Sequence, residues 1–97
     1  MIIVHDTFVC KPGNASKLAK LFKETMSGDK HVTHVLTDMT GQYNRVIMVS
    51  KYENLTDYEK SFEEYSNPTP EMKESMKKME GYTEMYQNGS REIYKVW

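Results

Sequence analysis

The chain has 97 residues, a formal net charge of −1, a single cysteine and 38% hydrophobic residues. That length fits one domain, residues 1–97, with a core too small to be robust alone. Near-neutral charge argues against a nucleic-acid partner, which needs a concentrated basic face, and one thiol excludes a disulfide framework.

Residues 1–10, MIIVHDTFVC, are rich in β-branched side chains and read as a first strand. Lys11-Pro12-Gly13 ends it. Asn14 is the expected N-cap of a helix whose apolar face is Ala15, Leu18, Leu21, Phe22 and Met26, with Gly28 as its stop. HVTHVLTDMT reads as a second strand and RVIMVSKYE as a third, joined as a hairpin through Gly41-Gln42-Tyr43-Asn44. Asn54 then caps a second helix, with Asp57 in the capping-box position and Leu55, Tyr58, Phe62 and Tyr65 as its apolar stripe. Asn67-Pro68-Thr69-Pro70 breaks that helix. A third starts with Thr69 as N-cap and Pro70 in its first turn, carries Met72, Met76 and Met79 on one side, and ends at Gly81. From about Glu84 to Trp97 the pattern is that of one long strand, kinked around Asn88-Gly89.

This order, β-α-β-β-α-(α)-β, predicts an α+β, ferredoxin-like fold: a four-stranded antiparallel sheet with the helices on one face. The strands, however, are apolar on both faces. In the first, Ile2, Val4, Phe8 and Cys10 oppose Ile3, Thr7 and Val9; in the third, Val46, Met48 and Tyr52 oppose Ile47 and Val49. In the last, Tyr86, Tyr94 and Val96 are expected to oppose Met85, Ile93 and Trp97. Helices cover one face only. A second face of roughly 700 Å² of apolar surface represents on the order of 15 kcal/mol of burial, and no segment remains to cover it. A second copy of the sheet is the simplest cover, so a homodimer with sheets packed face to face is expected.

Four side chains are candidates for a ligand pocket. Asp6 shares a face with Val4 and Phe8, where a carboxylate either serves as a base or ligand anchor or is simply bonded to a Lys or Tyr near the strand end. His34 is grouped by alternation with Val32, Leu36 and Asp38, as a proton shuttle or as a satisfied, half-buried histidine. Tyr65 offers a hydroxyl to a pocket or packs in the core with its tip in water. Met76 is either an adaptable cover over an apolar ligand or core packing. No catalytic residue is assigned. The three histidines share no metal-ligand spacing, and the sequence calls for no metal and no cofactor. The third strand lacks the glycine and paired aromatics of an RNA-recognition domain, and no phosphate-binding glycine loop occurs. The start MIIVHDTFVC lacks the basic region of a signal peptide, and no stretch is long enough to span a bilayer, so a cytoplasmic location without a membrane partner is expected.

The strand–Lys11-Pro12-Gly13–helix unit, the junction Lys51-Tyr52-Glu53-Asn54-Leu55-Thr56-Asp57-Tyr58-Glu59 and the ending Gly89-Ser90-Arg91-Glu92-Ile93-Tyr94-Lys95-Val96 resemble the dimeric α+β barrel superfamily. Within it the likeness is to the antibiotic-biosynthesis-monooxygenase-like and NIPSNAP-like proteins. The resemblance implies a pocket between sheet and helices, with Asp6 at the position where some monooxygenase-like members project a polar residue from the first strand. Haem-degrading members carry Asn there and use a Trp and a His from the helical half. Here that half has neither, which argues against haem chemistry. The functional expectation is a cofactor-free, monooxygenase-like protein that binds or oxidises a small apolar or aromatic molecule. The alternative is a non-catalytic dimeric structural or stress-related protein with a filled interior.

Overall fold

In the computed structural model, residues Ile2–Cys10 form strand β1, Ala15–Thr25 helix α1, Val32–Thr37 β2, Arg45–Tyr52 β3, Leu55–Ser66 α2, Pro70–Lys78 α3 and Tyr86–Lys95 β4. A single 3-10 turn, Tyr82–Glu84, leads into β4. The strand order is β2-β3-β1-β4 with every neighbouring pair antiparallel. This is the ferredoxin-like α+β arrangement that the chain order predicts.

Local chemistry explains most of the boundaries. The Asn54 side chain accepts from the Asp57 N–H at 2.8 Å, and Thr69 Oγ1 accepts from the Met72 N–H at 3.2 Å, so both helices start on a side-chain cap. Pro70 follows directly, where its missing N–H costs no helical bond. Asn14 occupies the N-cap position of α1 without making a side-chain cap bond. That helix also stops earlier than Gly28 implies, at Thr25. Gly81 turns the chain out of α3 in the left-handed region at φ 84°, which a side chain adopts only with strain.

The core is small and sits at one end of the helix layer. Leu18 and Phe22 of α1 pack on Cys10 and Val46, with Phe8, Val35, Met79 and Tyr86 around them. Phe8 meets Phe22 and Tyr86 ring to ring, at centroid separations of 5.1 and 5.0 Å. The Thr25 hydroxyl lies 2.8 Å from the Leu21 carbonyl and 3.2 Å from the Met79 sulfur, tying α1 to the end of α3. By contrast, the expected apolar stripe of α2 is poorly covered: Leu55 is 57% exposed and Phe62 45%. The buried residue of that helix is Ser61.

Two register shifts overturn the side-chain alternation inferred for β2 and β4. In β2, Val32 pairs with Ser50 and His34 with Val49, with an irregularity between them. Val32 therefore faces the helices, while His34 and Leu36 lie on the opposite face. In β4 the register slips at Gln87: Tyr86 pairs with Cys10 and Asn88 with Val9. Tyr86 consequently faces the helices and Tyr94 does not, so the expected grouping of these two tyrosines is wrong. The open face presents Ile3, Val9, Ile47, Val49, Leu36 and Tyr94, interspersed with His5, Thr7 and His34. The two-sided pattern of β1 and β3 holds as expected.

Asp38 closes the β2–β3 hairpin. Its carboxylate accepts from the Arg45 N–H at 2.9 Å and from Nε at 3.0 Å, and pairs with Nη2 at 2.9 Å. These contacts, the side-chain bond first, hold the Asp38 carboxyl below its ordinary value. The contribution to stability is thus present above the ordinary carboxylate range and lost as pH falls through the lower folded value. Asp38→Asn should remove this acid-side loss, leaving a flatter urea midpoint against pH below about 4. Phe22→Ala should destabilise by about 3–5 kcal/mol in equilibrium urea unfolding, because it empties the middle of the only packed cluster.

Candidate functional site

Where α2 stands off the sheet, a chamber of about 280 Å³ remains. Asp6, Phe8 and Met48 form part of its sheet side, Tyr58 and Phe62 its α2 side, and Phe22 and Met26 its α1 side. Antiparallel pairing of β1 with β4 sets Asp6 directly across from Arg91. The Arg91 Nε donates to Asp6 Oδ1 at 2.6 Å. Asp6 is 13% exposed at its side chain and Arg91 50%. The same guanidinium lies 5.8 Å from the Tyr58 ring centroid and 5.6 Å from that of Phe62. Arg91 thereby bridges the sheet to α2 through charge and ring faces.

Tyr58 gives the chamber an unusual wall. Its hydroxyl oxygen is buried and has no hydrogen-bond partner, a state that costs about 1–3 kcal/mol until a partner is found. Burial pushes its phenol up, with Arg91 opposing and Asp6 and Tyr52 adding to the rise. The Tyr52 ring meets Tyr58 edge-on at 5.0 Å and stacks on His31 at 4.3 Å. Its own phenol is likewise raised, chiefly by burial.

A larger outer groove of about 910 Å³ lies beside the chamber, between the last turns of α1 and α2 and one side of α3. Tyr65 and Asp29 line both spaces. The Tyr65 hydroxyl donates to Asp29 Oδ2 at 3.3 Å, and the Asp29 Oδ1 accepts from the His31 N–H at 2.8 Å.

Of the four residues singled out by sequence, Asp6 and Tyr65 both line the chamber. Met76 lines only the outer groove, 46% exposed. His34 lines neither space: the β2 irregularity turns it to the open face, where its ring nitrogen sits 3.2 Å from the Thr33 hydroxyl. Sequence reasoning missed Arg91, Tyr52 and Asp29 as parts of this region. Arg91 is the cation of the last strand, but only the observed β1–β4 register sets it across from Asp6. No histidine lines the chamber. No cluster of His, Cys, Asp and Glu is placed to hold a metal ion.

No family model and no curated protein matches the chain. Solved structures do match. A NIPSNAP family protein of unknown function from Agrobacterium tumefaciens aligns over 99% of this chain and 87% of its own, with TM-score 0.76 and 14% identity. An uncharacterised NIPSNAP domain protein from Burkholderia xenovorans aligns over 100% and 95%, with TM-score 0.74 and 11% identity. The chain shares its fold with these two proteins. The antibiotic-biosynthesis-monooxygenase fold is a related match: a protein of that description from Nitrosomonas europaea covers 99% of this chain and 98% of its own, with TM-score 0.62 and 11% identity. Within this shared fold, the space between sheet and helices is where Asp6, Arg91 and the α2 aromatics meet.

The Tyr65–Asp29 contact has a spectroscopic consequence. Burial, and then the neighbouring carboxylate, push the Tyr65 phenol from 10.0 up to about 12. The unfolded chain releases that proton at the ordinary value and the folded chain holds it longer. Stability from this group is therefore intact below the ordinary value and lost as pH rises towards about 12. Tyrosinate absorbance should show a late step that Tyr65→Phe deletes and Asp29→Asn moves to lower pH.

Proposed function

We propose that the chain binds a small apolar or aromatic molecule in the chamber between sheet and helices, and acts on it as a cofactor-free, monooxygenase-like protein. The observation that carries this reading is the chamber itself: aromatic walls around a tethered carboxylate. A binding site of this kind needs apolar area for affinity and a few placed polar groups for orientation. Here the area comes from Phe8, Met48 and Phe62, and the polar groups from Asp6 and Arg91. Arg91 engages one Asp6 oxygen, which leaves the other to accept a proton or a hydrogen bond from a ligand hydroxyl. A volume of about 280 Å³ suits a one- or two-ring molecule. The alternative, a non-catalytic protein with a filled interior, is less well supported, because α2 leaves its aromatic stripe half exposed beside an open space.

The working form in this reading is a homodimer, with the open faces of two sheets packed together. Ile3, Val9, Ile47, Val49 and Leu36 supply the apolar contact, and the chamber lies on the other side of each sheet. The fold neighbours support the architecture but leave the activity to experiment.

The binding reading is tested by titrating 1-naphthol while following methionine-methyl resonances. Met48 lines only the chamber and should shift; Met39, which is fully exposed, should not. Asp6→Asn should weaken binding about tenfold, through loss of a charge-assisted hydrogen bond. Oxygen uptake with the same probe tests turnover. An unmoved Met48 resonance would sink the binding reading. For the dimer, sedimentation of Ile47→Asp should give a monomer with an unchanged circular dichroism spectrum, because Ile47 contributes nothing to the helix-facing core.

A further inference from the structure

The near-neutral charge of the chain conceals a local imbalance. The outer groove has a soft apolar floor of Met26, Met72, Met76 and Met79, flanked by the rings of Tyr65 and Tyr82. Its rim carries Glu24, Asp29, Glu64, Glu71 and Glu80, while Lys30 is its only lysine or arginine. Lys78 reaches Glu24 at 3.4 Å from outside and offsets one of these carboxylates, both partners being more than half exposed. With Lys30 set against one more, three remain in excess in a molecule whose total is −1, so the surface outside the groove is net positive.

The backbone adds to the same sign. Helix α1 ends at Thr25 and α2 at Ser66, and the last turns of both border the groove. Each helix end presents unpaired carbonyls equivalent to roughly half a negative charge. The high Tyr65 phenol value is in keeping with this field, after burial, since Asp29 and Glu64 both contribute to it. Tyrosine faces attract cations, and unbranched methionines repack around apolar groups of varied shape. Apolar floor, negative rim and aromatic faces are complementary to one ligand chemistry.

We propose that the outer groove is a binding site for an apolar organic cation, an amine or quaternary ammonium on an alkyl or aromatic body, with the body on the methionines and the head against the carboxylate rim. This stands independently of the chamber reading. Met72, Met76, Glu64 and Glu71 line the groove and are absent from the chamber.

The test compares decyltrimethylammonium with decyl sulfate, each below its micelle concentration, by methionine-methyl spectroscopy of the intact protein. The cation should produce saturable shifts at Met72 and Met76, bind at least about tenfold more tightly than the sulfate, and weaken as salt is raised. The exposed double variant Glu64→Gln/Glu71→Gln should keep the wild-type circular dichroism spectrum and bind the cation severalfold more weakly. Equal binding of the two probes would overturn the proposal, as would an unaffected double variant. Shifts confined to Met48 would also overturn it, by assigning the apolar chain to the chamber, and would leave the chamber reading standing.

Discussion

The helix side of the molecule depends on one seat, that of Leu18 and Phe22 against Cys10, Val46 and Phe8. It draws α1 close to the sheet at the β1–β3 end. Helix α2 is held more lightly, by the edge of Tyr58 against Tyr52. The residue it buries is Ser61, too small to fill the layer, while Leu55 and Phe62 remain largely in solvent. Arg91 takes the place of an apolar contact, reaching from β4 to the faces of Tyr58 and Phe62 while paired to Asp6. A charged strut spans a gap that a leucine would close. The chamber is the volume left between the tight seat and the strut.

Much of this was legible in the sequence. Turn and cap residues marked the element order, since Gly, Pro, Asn and Thr at those positions act through local geometry that tertiary context rarely overrides. The two-sided pattern of β1 and β3 followed from alternation alone. Alternation failed where one extra residue entered a strand. Nothing around Thr33 announces the β2 irregularity, and it moves His34 to the face away from the chamber. Asn88-Gly89 did signal a kink, but the slip falls at Gln87, which separates Tyr86 from Tyr94. Helical spacing identified which residues of α2 share a side; it carries no information on how near that side comes to the sheet. The Asp6–Arg91 pair joins residues at opposite ends of the chain and became visible only with the β1–β4 register.

Charge patterning shows a similar limit. The interleaved lysines and glutamates of KETMSGDK and MKESMKKMEG read as solvated helix faces. On α3, however, Glu71, Met72, Ser75, Met76 and Met79 share the groove side, and Lys73, Lys77 and Lys78 do not. A run that is balanced along the chain is thus divided in space. The chamber and the groove are neighbours that share Tyr65 and Asp29 among their walls, one mainly apolar and the other carboxylate-rimmed.

Only 9 of 97 residues are buried, and this shapes the thermodynamics as well as the sites. Heat capacity and denaturant sensitivity both scale with the surface that unfolding exposes. A single chain that hides so little should have a shallow, broad stability curve and a gentle dependence on urea. Amide exchange should be slowest in β1 and β3, the two strands bonded on both sides. The helices, with little packed beneath α2 and α3, should open well before the sheet does.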